Sequence, residues 1–442
     1  MKKIGIRYED KYVMERRVPL VPAHVKKLIA DEGLEFCVET SAKRVFSDEE
    51  FEAAGANVTD DLTSCPVIIG VKEIPIERLE ADKTYIYFSH VIKGQPHNMA
   101  MLKKLIELKC NLIDYECVVD EMGKRLIFFG RYAGLAGMIN TLWSLGQRLE
   151  ESGVVTPFLD IAQTRNYHSL AEARKVVSKV GQKIIEKGLP PAMKPLIIGI
   201  TGYGNVAQGA NEILSLLPVK EILPDEIFSL ARHPHLPDNI IYKVVFKEEH
   251  LFTPRNKEHK FDLQEYYHHP DRYCSQFEKY LPYLDVLVNC IYWDPRYPRL
   301  LTKDFTEKLF QEGKPKLTVV GDITCDPDGS VEITHRGTEI ENPVFVYNPF
   351  TRQPTDGFKG EGLLVMAVDI LPSELPRDAS EFFSEVLHRY VAPIAKADFD
   401  QPFTKLKLPG PVRRAMILHK GEFTPGFEYM REYIKAPPVV KT

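Results

Sequence analysis

Apolar and polar positions along the first third of the chain follow two periods. Short apolar runs at 3–7, 35–39, 67–71, 84–88, 112–115 and 126–129 have the length of strands. Between them, 21–30 and 98–108 read as amphipathic helices, and Pro22 suits a first helical turn. Ser47-Asp-Glu-Glu reads as an N-cap with an acidic first turn. Strand and helix in alternation predict an open, mostly parallel sheet. Long helices over 132–152 and 170–187 then lead to a second series of strand runs at 220–223, 240–246, 286–291 and 317–323. Residues 250–284 are charged and aromatic and predict a helical insertion with surface loops, in which the neighbours His268 and His269 form a surface pair. Beyond it, helices are predicted at 361–370 and 381–396, and a frayed tail from Pro437.

The second series is organised around one stretch. The apolar run Leu196-Ile-Ile-Gly-Ile-Thr ends in Gly202-Tyr-Gly204-Asn205-Val206-Ala207, and a helix over 205–217 follows. Strand, glycine turn and helix in that order suit a dinucleotide: Gly202 for the turn, Gly204 for close approach to a pyrophosphate, Ala207 for close packing. Asn205 and Val206 open the helix, where free N–H groups and the positive dipole end meet phosphate.

The bulk numbers narrow the class. At 442 residues the chain is too long for one core, and two domains are expected. A net charge of −5 argues against a nucleic-acid surface. Seven scattered cysteines without a CxxC spacing read as reduced thiols, and no metal site is expected. The lack of an apolar leader or membrane-length run makes a soluble cytoplasmic protein the expectation.

In parallel sheets ligands lie beyond the carboxyl ends of the strands. That rule selects Lys72 and Glu73 after 67–71, His90 with Lys93 and Gln95 after 84–88, and Glu116 after 112–115. In the second series it selects 289–293, with Ile291, and 322–326, with Asp322 and Thr324. Two bases, a carboxylate and several cations thus face the proposed nucleotide.

Glu15-Arg-Arg-Val-Pro-Leu-Val-Pro, Ile69-Gly-Val-Lys-Glu-Ile-Pro, Tyr87-Phe-Ser-His-Val-Ile-Lys-Gly-Gln and Phe129-Gly-Arg-Tyr-Ala-Gly-Leu-Ala-Gly resemble the lysine-forming saccharopine dehydrogenases, within the alanine dehydrogenase-like superfamily. They resemble still more the lysine–2-oxoglutarate reductase half of the bifunctional aminoadipate semialdehyde synthases. Ile291-Tyr-Trp, Pro298-Arg-Leu-Leu-Thr and Ala367-Val-Asp-Ile-Leu-Pro-Ser-Glu-Leu-Pro extend the resemblance over nearly the whole chain.

The resemblance implies reversible condensation of L-lysine with 2-oxoglutarate to saccharopine, using NADP or NAD, with the reductase halves pointing to NADP. It puts acid–base work on Lys72 and His90, with Glu116 moderating Lys72, whose pKa must fall. Three substrate carboxylates call for cations: Arg17, Lys93 and Arg125, with Gln95 beside them.

Two α/β domains of Rossmann type with an interdomain active-site cleft are then expected. The substrate domain is 1–135 completed by 350–442, and the cofactor domain is 136–349. The glutamate-forming half is expected to be a separate partner enzyme.

Residue 131 is Arg where an uncharged residue suits the family. Leu223 occupies the place of a ribose-binding acid, which leaves Asp225 for the ribose hydroxyls of NAD, or Arg232 and Lys243 for a 2′-phosphate. An amino-acid or opine dehydrogenase of the alanine dehydrogenase type, and a non-catalytic nucleotide-binding regulator, are the alternatives.

Overall fold

The computed structural model describes residues 2–230, 232–233 and 236–435; the tail from Pro437 lies outside them. The chain forms two compact units. One is the chain up to Phe129 together with the segment from Pro376 onward, and the other is Gly130–Leu375.

The first unit is built on an eight-stranded sheet. Strands β1 (Lys3–Ile6), β2 (Glu35–Glu39), β3 (Asn57–Thr59), β4 (Val67–Ile69), β5 (Thr84–Tyr87) and β6 (Asn111–Asp114) are parallel, in the order β6-β5-β4-β1-β2-β3. From the C-terminal segment, β17 (Met416–His419) pairs antiparallel with β6, and β18 (Glu422–Phe423) with β17. Helix Pro376–Lys396 docks through its serines: Ser380 and Ser384 Oγ accept the N–H groups of Val18 and Val21, each at 3.0 Å. Ser47 caps its helix in a full capping box with Glu50.

The second unit holds another eight-stranded sheet. Its parallel members are β7 (Leu196–Thr201), β8 (Val219–Ile222), β9 (Ile241–Phe246), β12 (Val286–Asn289), β13 (Val319–Asp322) and β16 (Leu363–Met366). Strands β14 (Val344–Asn348) and β15 (Gln353–Asp356) close one edge antiparallel, giving the order β15-β14-β16-β13-β12-β7-β9-β8. Every residue of β7, β12, β13 and β16 is buried, which is why these strands read as unbroken apolar runs rather than alternating ones. The insertion after residue 250 carries a small antiparallel pair, β10 (Phe252–Pro254) with β11 (Tyr273–Ser275), and a helix Leu263–His268.

Three expectations are corrected. Residues 126–129 form no strand, because the free edge of β6 is taken by β17; Phe129 stacks instead on Phe383 at 4.5 Å. The helix expected at 361–370 is β16, a fully buried four-residue run after Gly360 and Gly362, too short and too enclosed for an amphipathic helix. Because β14 to β16 complete the second sheet, residues 350–375 belong to the second unit rather than the first, and the return begins at Pro376.

The helix of the glycine turn, Asn205–Leu214, packs along helix Gly130–Glu151 through glycines on both. A Cβ at Gly134 would lie 1.9 Å from the Val206 carbonyl oxygen, and one at Gly209 would lie 2.1 Å from that of Arg131. Among the described residues, no helix is long and apolar enough to cross a membrane.

Gly134→Ala is therefore expected to lower the melting temperature by an overpacking cost of roughly 1–3 kcal/mol. Gly204→Ala, whose Cβ would meet nothing within 4 Å, is expected to leave it unchanged. Calorimetric scans of the two variants test the contrast, and equal melting temperatures would contradict it.

Candidate active site

In the first unit, chemistry gathers at the carboxyl ends of the neighbouring strands β6, β5, β4 and β1. Glu9, after β1, is fully buried and accepts the N–H groups of Val71 at 2.6 Å and Lys72 at 2.9 Å. Burial pushes its carboxyl up to about 7, against the pull of Arg7. The backbone of Lys72 is thus pinned from below, and its ammonium lies 5.6 Å from the ring centre of Tyr12.

Glu73 carries the next link. Its Oε1 meets His90 Nδ1 at 2.8 Å and Lys11 Nζ at 2.8 Å. Burial alone would raise this carboxyl, but the hydrogen bond and charge of His90, then those of Lys11, hold it down near 2. A carboxylate on Nδ1 assigns the proton there and leaves Nε2 for proton transfer.

His90 itself has φ +49°, a left-handed backbone that a non-glycine residue adopts only when its surroundings impose it. Those surroundings are visible: Ser89 donates N–H to Asp114 Oδ2 at 3.1 Å and its hydroxyl to the same oxygen, while Asn98 Nδ2 donates to the His90 carbonyl at 3.2 Å. Asp114 Oδ1 also accepts the Glu116 N–H at 2.7 Å, so one buried carboxylate joins the His90 loop to the Glu116 turn. Its desolvation raises that carboxyl to about 6.

The expected cations are placed differently from one another. Arg17 is buried with its fork on Glu15 (Nε to Oε1 2.8 Å, Nη2 to Oε2 2.5 Å) and its guanidinium 4.2 Å from the Phe129 ring centre. Arg125 is ion-paired to Glu116 at the end of an isolated bridge between Val119 and Arg125. Lys93 is exposed on the loop before helix Pro96–Glu107, and the Gln95 side-chain oxygen beside it is buried without a protein partner. That loop is held from the C-terminal segment, where the Tyr429 hydroxyl donates to the Ile92 carbonyl at 3.2 Å and the Tyr433 ring lies against Gly94. Lys11, Glu9, Glu15 and Asp114 went unselected by sequence reasoning. Asp114 ends a strand run and met the same rule that picked Glu116; Glu9 and Glu15 lie on a long loop with no periodic signal.

In the second unit the glycine turn has the form a dinucleotide requires. Gly202 has φ +84° and stands against Ile291, and no side chain caps the helix beginning at Asn205, so Asn205 and Val206 present its first turn. Thr201 Oγ1 donates to Asn289 Oδ1 at 2.8 Å, and Asn289 Nδ2 reaches Asp322, Thr324 and Ser330 at 2.8–3.0 Å. Thr324 and Thr334 donate to the two oxygens of Asp322 at 2.7 and 2.6 Å. Asp322 and Thr324 therefore brace the carboxyl edge, and Asp322 is too enclosed to present an acceptor of its own. Arg131 is neutralised within this unit by Glu212, its Nη2 at 2.6 Å.

Asp225 does not stand beside the glycine turn. It follows β8, the outermost strand, and β9 lies between β8 and β7, so that Asp225 is displaced by about two strand spacings, roughly 10 Å. It accepts instead from the Tyr280 hydroxyl at 3.1 Å. Lys243, on β9, is paired with Glu221 at 2.7 Å, while Arg232 is exposed.

One histidine cluster lies elsewhere. His24, Glu385 and His388 gather within 4.8 Å, but the two imidazoles stack at 4.3 Å and 6°, so their in-plane lone pairs run in parallel planes and do not converge on one point.

One unit carries an oriented histidine at its strand ends and the other a glycine turn, on two α/β sheets of Rossmann-like type. Residues 5–136 match the alanine dehydrogenase/PNT N-terminal domain. The alpha-aminoadipic semialdehyde synthase of Arabidopsis thaliana is 37% identical over 98% of this chain and 42% of its own length. The lysine-forming, NAD(+) saccharopine dehydrogenase of Yarrowia lipolytica is 29% identical over 90% of this chain and 97% of its own. The solved L-alanine dehydrogenase superposes with a TM-score of 0.61 at 17% identity, covering 98% of this chain and 99% of that one, a likeness of fold. The chain is a homologue of these synthases and lysine-forming dehydrogenases, and it spans about half the length of the semialdehyde synthases it matches. Its homologues include dehydrogenases, which imply a nicotinamide dinucleotide. The open space above Gly204 and the uncapped first turn at Asn205 suit that group.

Glu73 supplies a test by pH. Because its folded pKa is depressed from 4.5 to about 2, it contributes stability that is complete above about pH 4.5 and is lost as the pH falls towards 2. In melting scans from pH 7 to 3, wild type and Glu73→Gln are expected to run parallel above pH 4.5 and to converge below it. Curves that stay parallel throughout would remove Glu73 as the anchor of His90.

Proposed function

We propose that this chain catalyses the reversible reductive condensation of L-lysine with 2-oxoglutarate to saccharopine. The observation that supports it is the Glu73–His90 contact at 2.8 Å beside the pinned Lys72, on the unit that matches the dehydrogenase domain. The lysine side-chain amine must lose a proton before it attacks the keto carbon. The carbinolamine then loses water, with one proton going to the departing hydroxyl, to leave an imine. When bound, the nicotinamide dinucleotide supplies the hydride that reduces that imine.

The chain's own residues handle the protons and the charge. His90 Nε2 takes and returns protons while Glu73 keeps the ring in one tautomer, and Lys72 acts at the other transfer. Lys93, Lys11 and the edge of Arg17 left outside its pair with Glu15 meet the carboxylates, with Gln95 as a hydrogen-bonding neighbour. Glu116, tied to Arg125, sets the charge around Lys72 and His90.

The test is nicotinamide absorbance with L-lysine and 2-oxoglutarate, run beside ornithine, alanine, ammonia and pyruvate. Lysine with 2-oxoglutarate is expected to be the preferred pair. Lys72→Met and His90→Gln are each expected to lower kcat by about 10²–10⁴ while nicotinamide binding persists. Turnover of ammonia and pyruvate without turnover of lysine would overturn the reading.

A further inference from the structure

Cofactor choice in a dinucleotide fold is made at the carboxyl end of the strand beside the glycine-turn strand, where an acid meets the ribose hydroxyls. In chain order that strand would be β8. In space it is β9, which pairs with β7 at all six positions from Leu196↔Ile241 to Thr201↔Phe246. The ladder continues into the turn, where the Gly202 N–H donates to the Phe246 carbonyl at 2.9 Å. The segment leaving Phe246, Lys247-Glu248-Glu249, is therefore the one lying against the glycine turn.

Two phenols stand beside Glu248 at that turn. Its Oε1 accepts from the Tyr267 hydroxyl at 2.8 Å, and its charge acts on the phenol of Tyr203, the residue between the two glycines. Burial first, and then the nearby Glu248 carboxylate, raise both phenols, so they stay protonated through the neutral range and Tyr267 donates to the carboxylate. Tyr203 is 48% exposed, so this carboxylate is oriented at an open rim rather than sealed in a core.

We propose that Glu248 is the specificity-determining acid of the dinucleotide site and that it selects NAD(H) over NADP(H). The proposal rests on the dehydrogenase reading above and deepens it. A carboxylate accepts two charge-assisted hydrogen bonds from a ribose diol, whereas a 2′-phosphate at the same place removes one donor and sets two anions against each other. Lys247, exposed next to it, is the cation that would meet a 2′-phosphate once Glu248 is gone. The preference runs against the NADP that resemblance to the reductase halves suggests, and it moves the deciding residue from Asp225 to Glu248.

The test is direct titration of the whole protein with NADH and with NADPH, followed by nicotinamide fluorescence in the absence of substrates. Wild type is expected to bind NADH roughly tenfold or more tightly than NADPH. Glu248→Ser is expected to lose that ratio or invert it. Glu248→Gln keeps an acceptor for the Tyr267 hydroxyl and is expected to narrow the ratio at an unchanged melting temperature. Asp225→Asn is expected to leave the ratio alone. Tighter binding of NADPH by wild type, or an unchanged ratio in both Glu248 variants, overturns the proposal. Tight NADH binding without turnover of lysine and 2-oxoglutarate overturns the proposed reaction while leaving Glu248 in place.

Discussion

A carboxylate taken out of water must be met by donors or cations, or it gives up its charge, and that constraint shapes the first unit. Glu9, Glu15, Glu73 and Asp114 are all buried at one end of the sheet. Each draws a different partner inward: the peptide of Lys72, the fork of Arg17, the ring of His90, the loop of Ser89. Pairing of this kind adds little net stability, since desolvation offsets most of the attraction, but losing one member leaves the other stranded. What it secures is geometry. The left-handed His90 persists because Ser89 before it and its own carbonyl are both held.

The second unit solves a different problem, that of bringing a backbone close to a large anion. Glycines at the turn and at the crossing of two helices remove the side chains that would stand in the way. Asn289 and Asp322 then knit the ends of β12 and β13 and the strand-end residue Thr201 of β7 together, so the rim keeps its form without a ligand's help. Division of labour follows: one unit orients a histidine, and the other carries the glycine turn.

Most of the fold was legible along the chain. The runs at 35–39 and 170–187 coincide with their elements because alternation, caps and glycine stops all point the same way there. The failures share a cause. The run at 126–129 has strand composition but no free edge to join, and 363–366 is apolar enough for helix or strand until its burial is known. Of the candidate site, the residues just past strands were legible because position along the chain fixes which edge they reach. Glu9, Glu15 and Lys11 were not, since a loop without periodicity carries no marker of where it returns.

By itself, the sequence determined the parallel α/β class, the glycine turn at Gly202 and the position of Lys72 and His90 just past strands, because these depend on local spacing and on residues adjacent in the chain. Only the tertiary structure decided which carboxylate orients His90, where the chain returns to its first unit, and which acid stands beside the glycine turn. Strand order is a property of the sheet and not of the chain: β9 slips between β7 and β8, and a residue twenty-three positions after Asp225 takes the place that counting along the sequence had reserved for it.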